Sequence, residues 1–457
     1  MRKSVIIPKS AKNINLSEFF IKFASPSPIQ STAESNDFIL TLNIMKKQLF
    51  PIALSSLIAM SAAPAFATDF QAPACDDPKI EVPDSTGFTF TDVKINPHTS
   101  VKDQNKSGTC WAFSGLSTLE DNIMRKGGPE LDLSEMFIVR NAYIDKAKKW
   151  MRMNGEINFA QGGSFADVVE MSKLYGAVPE EVYAGLEYGE KKHAHYEMAE
   201  ALEAYLKAVY RRGAKDKKLS TAWLPGYIGI LDAYLGKAPE TFTYNGRTYT
   251  PQQYAKEIGL EPENFINLTS YTHHPFYTWF AIEIPDNWMW SQSFNVPMDE
   301  MKKSVDEALE AGYTVMWAAD VSEGGFKWAN GYAVNPEEKT EKDMTDAEVA
   351  RWAKLSDKDR DKEQFEIKGP VKEKTVTQES RQLGFDNYQT TDDHGMVIVG
   401  YATDQEGNKY YKVKNSWDTN QIYDGYFYVS VPYFLEKTMN IGVRKEAIPS
   451  DIAKKLK

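Results

Sequence analysis

Hydrophobic residues recur at helical spacing in the first part of the chain. Between Cys110 and Lys126 they stand three or four residues apart, and glycines follow at 127 and 128. This spacing predicts an amphipathic helix that begins at Cys110 and ends at a glycine cap. The same period predicts helices over residues 190–212 and 298–311.

The pattern changes in the last third of the chain. Residues 395–402, 409–414 and 425–431 are rich in β-branched and aromatic side chains and are separated by turn residues. Helices followed by antiparallel strands are typical of an α+β domain. Residues 336–379 carry charges of both signs and few large apolar side chains, which favours a solvated excursion.

The first 67 residues contain a secretory signal. Residues 45–67 begin with Met-Lys-Lys, continue with an apolar run and end with small residues, which is typical of a signal peptide cleaved after Ala67. We interpret residues 1–44 as upstream sequence translated from a misplaced start. A signal anchor is the alternative, but it needs a longer apolar run than 50–63 provides. The sequence thus predicts an exported protein, periplasmic or secreted, without a stable membrane anchor.

Composition narrows the possible partners. The 457 residues include 53 Lys and Arg against 64 Asp and Glu, which gives a formal charge of -11. An acidic chain without a segregated basic stripe is not expected to bind nucleic acid. The 2 cysteines are too few for a disulfide scaffold, a zinc ribbon or a multi-cysteine iron–sulfur site.

Four polar residues suit nucleophilic catalysis. The first turn of a helix favours the thiolate of Cys110. His394 begins a β run and can act as a base, and Asn415, at the end of the next strand, can orient the imidazole across one hairpin. The amide of Gln104, on the loop before the thiol, can donate to an oxyanion together with the backbone N–H of Cys110.

Taken singly, a buried cysteine or histidine is more often a packing residue. Taken in order, Gln104, Cys110, His394 and Asn415, with Cys-Trp-Ala-Phe-Ser at the thiol and Asn-Ser-Trp at the far end, resemble the papain-like cysteine peptidases. The resemblance implies a papain-like α+β fold, with a helical half and an antiparallel β half. It implies no metal and no cofactor.

Three segments, 101–115, 295–301 and 393–400, resemble the bleomycin hydrolase and aminopeptidase C branch of this family. The sequence departs from the papain-type signature, which has a cysteine where Ser107 stands and places the histidine roughly 130–150 residues after the nucleophile. The much longer separation from Cys110 to His394 predicts one papain-like domain over 68–457. That domain carries a large, mainly helical insertion at about 180–295 and the charged excursion at 336–379.

Roles follow from the resemblance. Cys110 is the nucleophile, His394 the general base and then acid, Asn415 the residue that orients it, and Gln104 the oxyanion donor. Two tryptophans support the site, Trp111 beside the thiol and Trp417, which shields the His–Asn pair from water. Gly162 and Gly163 resemble the glycine edge that pairs with an extended peptide substrate, although an ordinary turn is the alternative for these two.

The branch implies hydrolysis of peptides mainly from their N-termini, often by a homohexamer that encloses its active sites. In it, a C-terminal arm enters the cleft, but residues 444–457 here do not match the expected short apolar ending. Endopeptidase action therefore stays open, as do a catalytically silent peptide-binding protein and a transglutaminase-like acyltransferase. We interpret Cys75 as a free thiol, with a disulfide to Cys110 or lipidation as alternatives.

Overall fold

The computed structural model describes residues 87–340, 342 and 344–456. Residues 1–44, the signal peptide at 45–67 and Cys75 lie outside the described residues. Within the described part of the chain, no helix combines the length and the hydrophobicity that a membrane span requires.

Helices dominate the first half of the described chain and strands the second. The helices are α1 (Cys110–Arg125), α2 (Glu135–Arg152), α3 (Phe165–Tyr175), α4 (Tyr196–Asp216), α5 (Trp223–Leu235), α6 (Pro251–Glu257), α7 (Met298–Glu310), α8 (Asp346–Trp352), α9 (Asp357–Gln364), α10 (Gln378–Asp386), α11 (Val431–Lys437) and α12 (Ser450–Ala453). The strands are β1 (Thr91–Ile95), β2 (Phe242–Tyr244), β3 (Arg247–Tyr249), β4 (Phe265–Thr269), β5 (Trp279–Ala281), β6 (Gln292–Asn295), β7 (Val315–Ala319), β8 (Phe326–Lys327), β9 (Tyr332–Ala333), β10 (His394–Thr403), β11 (Lys409–Lys414), β12 (Tyr426–Ser430) and β13 (Thr438–Arg444).

Most strands join one 11-stranded sheet. Its order is β5-β6-β4-β13-β7-β10-β11-β12-β9-β8, and β1 also pairs with β10. The central pairs are antiparallel, whereas β6 with β4 and β9 with β12 are parallel. Helices α1 to α6 share one hydrophobic core, and the sheet packs with α7 and α11 around another. The architecture is α+β, as the sequence predicts.

Helix α1 differs in one respect from the amphipathic helix that its spacing predicts. Its apolar side chains are buried, but so are the carboxyl groups of Glu120 and Asp121. Lys102 pairs with Glu120, and Lys414 pairs with Asp121. These carboxyl groups can lie inside because cations from two other segments partly offset their charge.

The predicted helix boundaries are confirmed at α1 and α7 and are too early at α4. Gly127 follows α1 with a φ of 81°, and the N–H of Gly128 donates to the carbonyl of Ile123, which is the predicted glycine cap. Helix α4 begins at Tyr196 rather than at 190. The residues before it are extended because their backbone pairs with Lys106 on the loop that precedes Cys110.

The two segments that the sequence predicts as insertion and charged excursion are built differently from each other. Residues 180–295 hold α4, α5, α6 and the β2–β3 hairpin, and their last part adds β4, β5 and β6 to the central sheet. Residues 336–379 hold α8 and α9, neither of which buries a residue. The charged composition of this second segment fits helices that lie in solvent.

Candidate active site

Cys110 stands at the first position of α1, where this helix meets the start of β10. Its side chain is partly exposed, and the backbone of Gly395 makes a hydrogen bond to the sulfur. A Cβ on Gly395 would lie 2.9 Å from Ser114 Oγ and 3.4 Å from Trp111 Cα, so glycine permits this close approach. His394 directly precedes Gly395, and the thiol and the imidazole therefore stand on neighbouring elements.

The imidazole of His394 is buried and held by two neighbours. Its Nε2 lies 2.7 Å from Asn415 Oδ1, which also accepts the backbone N–H of Ser416. Because this amide oxygen is an acceptor, the Nε2 of His394 carries the proton and Nδ1 is the basic nitrogen. The ring of Trp417 stacks on the imidazole with centroids 4.5 Å apart. Asn415 thus orients the ring, and Trp417 covers it.

Burial opposes charge on both reactive groups. Burial, together with the nearby carboxyls of Asp286 and Asp392, raises the pKa of Cys110 to about 12, while a hydrogen bond from the backbone of Gly395 acts in the opposite direction. Burial lowers the pKa of His394 to about 4, although the hydrogen bond that His394 donates to Asn415 acts in the opposite direction. Each group alone is neutral near pH 7. A proton passed from the thiol to the imidazole creates both charges together, and each then stabilises the other.

Gln104 is fixed on the loop that leads into α1. Its Nε2 donates to the carbonyl of Ser107 at 2.7 Å, and its Oε1 accepts from Ser416 Oγ at 2.6 Å. Its backbone N–H donates to the carbonyl of Ser416, next to Asn415. An amide nitrogen carries two hydrogens, so the second N–H of Gln104 can serve an oxyanion.

Gly162 and Gly163 are glycines because of close contacts, not because of a turn conformation. A Cβ on Gly163 would lie 2.9 Å from the Trp111 ring, and one on Gly162 would overlap the carboxyl of Asp286. The preceding residue, Gln161, ties this edge to the catalytic loop. Its carbonyl accepts from Trp111 Nε1 at 3.0 Å, and its side chain accepts the N–H of Gly108.

The structure therefore brings together the residues that the sequence predicts for the site. It adds two that sequence reasoning missed, Asp286 and Asp392, whose charges act on the thiol. Asp392 stands two residues before His394, and this proximity is the one feature of the sequence that could have indicated its place in the site. Asp286 lies in the loop between β5 and β6 and belongs to no motif.

A separate group could hold a metal ion. The ligand atoms of His273, His274 and Glu283 lie within 4.8 Å of one another. The two imidazole Nε2 atoms contact the carboxylate of Glu283 at 3.1 and 2.9 Å. None of these residues belongs to the site predicted from the sequence.

Comparisons with known proteins find similar sequences and a similar fold. The family described as "Papain family cysteine protease" matches residues 88–222, and the "Peptidase C1-like family" matches residues 347–457. Aminopeptidase C of Lactobacillus delbrueckii subsp. lactis is 22% identical over 403 residues, which cover 78% of this chain and 81% of the relative. Bleomycin hydrolase of Rattus norvegicus is 22% identical over 397 residues, which cover 77% and 82%. The crystal structure of PepW from Lactobacillus rhamnosis has a TM-score of 0.62 at 19% identity, covering 81% of this chain and 85% of that one.

Proposed function

We propose that this chain cleaves peptide bonds through an acyl-enzyme on Cys110. It belongs to the papain-like cysteine peptidases, in the branch of aminopeptidase C and bleomycin hydrolase. One observation carries the proposal. Asn415 orients the imidazole of His394, and Trp417 covers it. His394 is the first residue of β10, and the next residue, Gly395, contacts Cys110 at the start of α1.

In the proposed reaction, Nδ1 of His394 takes the thiol proton, and the thiolate attacks the scissile carbonyl. The oxyanion is stabilised by the backbone N–H of Cys110 and the amide of Gln104. His394 then gives its proton to the leaving amine, which breaks the C–N bond and leaves a thioester. Water, deprotonated by His394, hydrolyses the thioester and restores the thiol.

We propose aminopeptidase action, by analogy with the names of the relatives. Residues 450–456, the last that the structure describes, pack against α7. Asp451 pairs with Lys303, Lys455 contacts Glu300, and Ile452 is fully buried.

We also propose that the protein is exported, on the basis of the signal peptide at 45–67. Mass spectrometry of the protein from culture fractions should find Thr68 at its N-terminus, outside the cytoplasm. An N-terminus upstream of Met45 would contradict this.

Cys110→Ala tests the proposed chemistry. We expect peptide-amide hydrolysis to fall by at least about three decades while the fold persists, because no other group supplies the acyl acceptor. An epoxide that inhibits papain-like enzymes should label the wild-type protein at Cys110. Cys75→Ala is the matched control and should keep both activity and labelling.

The same assay separates the alternatives. A wild-type protein that neither hydrolyses amino-acid amides nor reacts with the epoxide would be a silent peptide-binding protein. A protein that transfers the acyl group to added amines far faster than to water would be an acyltransferase.

A further inference from the structure

The carboxyl group of Asp286 lies against the glycine pair beside the nucleophile. Asp286, in the loop between β5 and β6, lies so close to Gly162 that a Cβ there would overlap its carboxyl. Gly162 adjoins Gly163, which packs on the Trp111 ring beside the nucleophile. The carboxyl therefore stands where an extended substrate would continue beyond the residues next to the scissile bond.

The loop that carries this carboxyl is fixed by its own side chains. Asn287 donates to the carbonyls of Ile282 and Ser291 at 3.0 and 3.1 Å and accepts the N–H of Ser291. Trp288 Nε1 donates to Asp167 at 2.9 Å. A group held in this way is preorganised for a ligand, which reduces the entropy lost on binding.

The charges around the edge favour a cationic ligand. Asn158 donates to Asp286 Oδ1 at 3.2 Å, and this amide brings no charge. Asp392 and Asp167 add further carboxyls to the same region, and burial is the first cause that raises the pKa of each. The buried Lys146 is the cation that acts on Asp286, but its ammonium donates to the carbonyls of Ala160 and Gly162 at 2.8 and 2.6 Å. The same lysine also acts on Asp167, whereas the charges that act on Asp392 are all carboxyls.

We propose that Asp286 binds the free α-ammonium group of the substrate and thereby limits cleavage to the N-terminal end of a peptide. The inference rests on the proposed function, since it names the substrate class of that same site. A substrate that pairs with the Gly162–Gly163 edge brings its amine to this carboxylate. A blocked peptide would leave a half-buried carboxylate without a partner and would find the edge closed to further residues.

The test compares one amino-acid fluorogenic amide with its N-acetyl form. On the wild-type enzyme, kcat/KM should be higher for the free amine. Asp286→Asn should lower kcat/KM for the free amine roughly 10²-fold and leave the acetylated substrate unchanged or faster, because a charge-assisted contact is lost. Asp286→Glu keeps the charge and should retain part of the preference. Glu170→Gln, which removes a carboxylate paired with Lys173 on the surface of α3, is the matched control and should behave like wild type.

Epoxide labelling of Cys110 at the wild-type rate verifies that each variant has a folded site. If Asp286→Asn is labelled normally and still prefers the free amine, the inference is wrong while the proposed function stands. Equal rates on both substrates by the wild-type enzyme would also overturn the inference alone. If the wild-type enzyme cleaves neither substrate and is not labelled, both proposals fail.

Discussion

Two groups of carboxyls near the catalytic helix differ in the charges that surround them. The cleft carboxyls are Asp286 and Asp392. The network beneath α1 consists of Lys102, Lys414, Glu120, Asp121 and Glu135. In both groups burial raises the pKa of the acids, so burial alone does not distinguish them.

The difference lies in where the opposite charge comes from. In the network, Lys102 contacts Glu120 at 3.3 Å and Glu135 at 2.7 Å, and Lys414 lies 3.9 Å from Asp121. These cations come from the protein itself and join the loop before Cys110 and the strand before Asn415 to α1. In the cleft, the hydrogen bond that Asp286 receives comes from a neutral amide.

The contrast separates structural from functional charges. A buried acid with an internal cation is part of the fold, and breaking the pair leaves an uncompensated charge. A buried acid without a close internal cation keeps its desolvation cost until a ligand supplies the charge. Perturbed carboxyls in a cleft are therefore candidates for a binding site when no cation of the chain forms a close ion pair with them.

Lys102→Met is the largest expected break in this comparison. It leaves the carboxyls of Glu120 and Glu135 buried without their cation, and the free energy of unfolding should fall by about 3–5 kcal/mol. The loss should be greater at alkaline than at mildly acidic pH. Protonation removes the charge of the unpaired acids, and it becomes harder as the pH rises. Denaturant unfolding at two pH values measures it.

Lys207→Met is the control, because its pair with Glu203 lies in solvent. Screened surface pairs contribute little, so this variant should unfold almost like wild type. Equal losses in the two variants would mean that the network does not stabilise the fold as a matched charge cluster.

The sequence predicts one side of this comparison better than the other. The helix at Cys110, the strands at His394 and before Asn415, and the order of the site residues follow from local periodicity and motif spacing. The burial of Glu120 does not, because it depends on Lys102, which the fold brings to α1.

Asp286 is hidden from the sequence for a related reason. No motif surrounds it, and its position depends on side-chain bonds such as those of Asn287 within the loop. The backbone pairing of residues 193–195 with Lys106, which delays the start of α4, is a similar long-range effect. Local patterns cannot report contacts between segments that lie far apart in the chain.

His195→Phe sharpens the comparison with a buried group that stays neutral. His195 is fully buried, and its ring nitrogens make no hydrogen bond to a described residue. Burial lowers its pKa to about 3. Below the usual histidine pKa of 6.5, the unfolded chain therefore binds a proton that the folded chain does not bind. Stability should therefore fall as the pH drops.

The imidazole of His195 should account for about 2–3 kcal/mol of the stability lost between about pH 7 and about pH 4.5. His195→Phe should lose that much less over the same interval, since other titrating groups are common to both proteins. Thermal or denaturant unfolding at the two pH values gives the difference. An unchanged pH dependence would mean that His195 is protonated in the folded protein.

Asp286→Asn should have the smallest effect on stability, and that small effect is what the comparison requires. The amide keeps the shape of the side chain and removes a charge that the fold disfavours. Because the folded-state pKa of Asp286 is raised by burial, ionisation opposes folding above the usual carboxyl pKa. The free energy of unfolding at neutral pH should therefore stay within about 0.5 kcal/mol of wild type or rise above it. A loss comparable to that of Lys102→Met would place Asp286 among the structural charges, and its pairing with Lys146 would then explain why the carboxyl lies in the cleft.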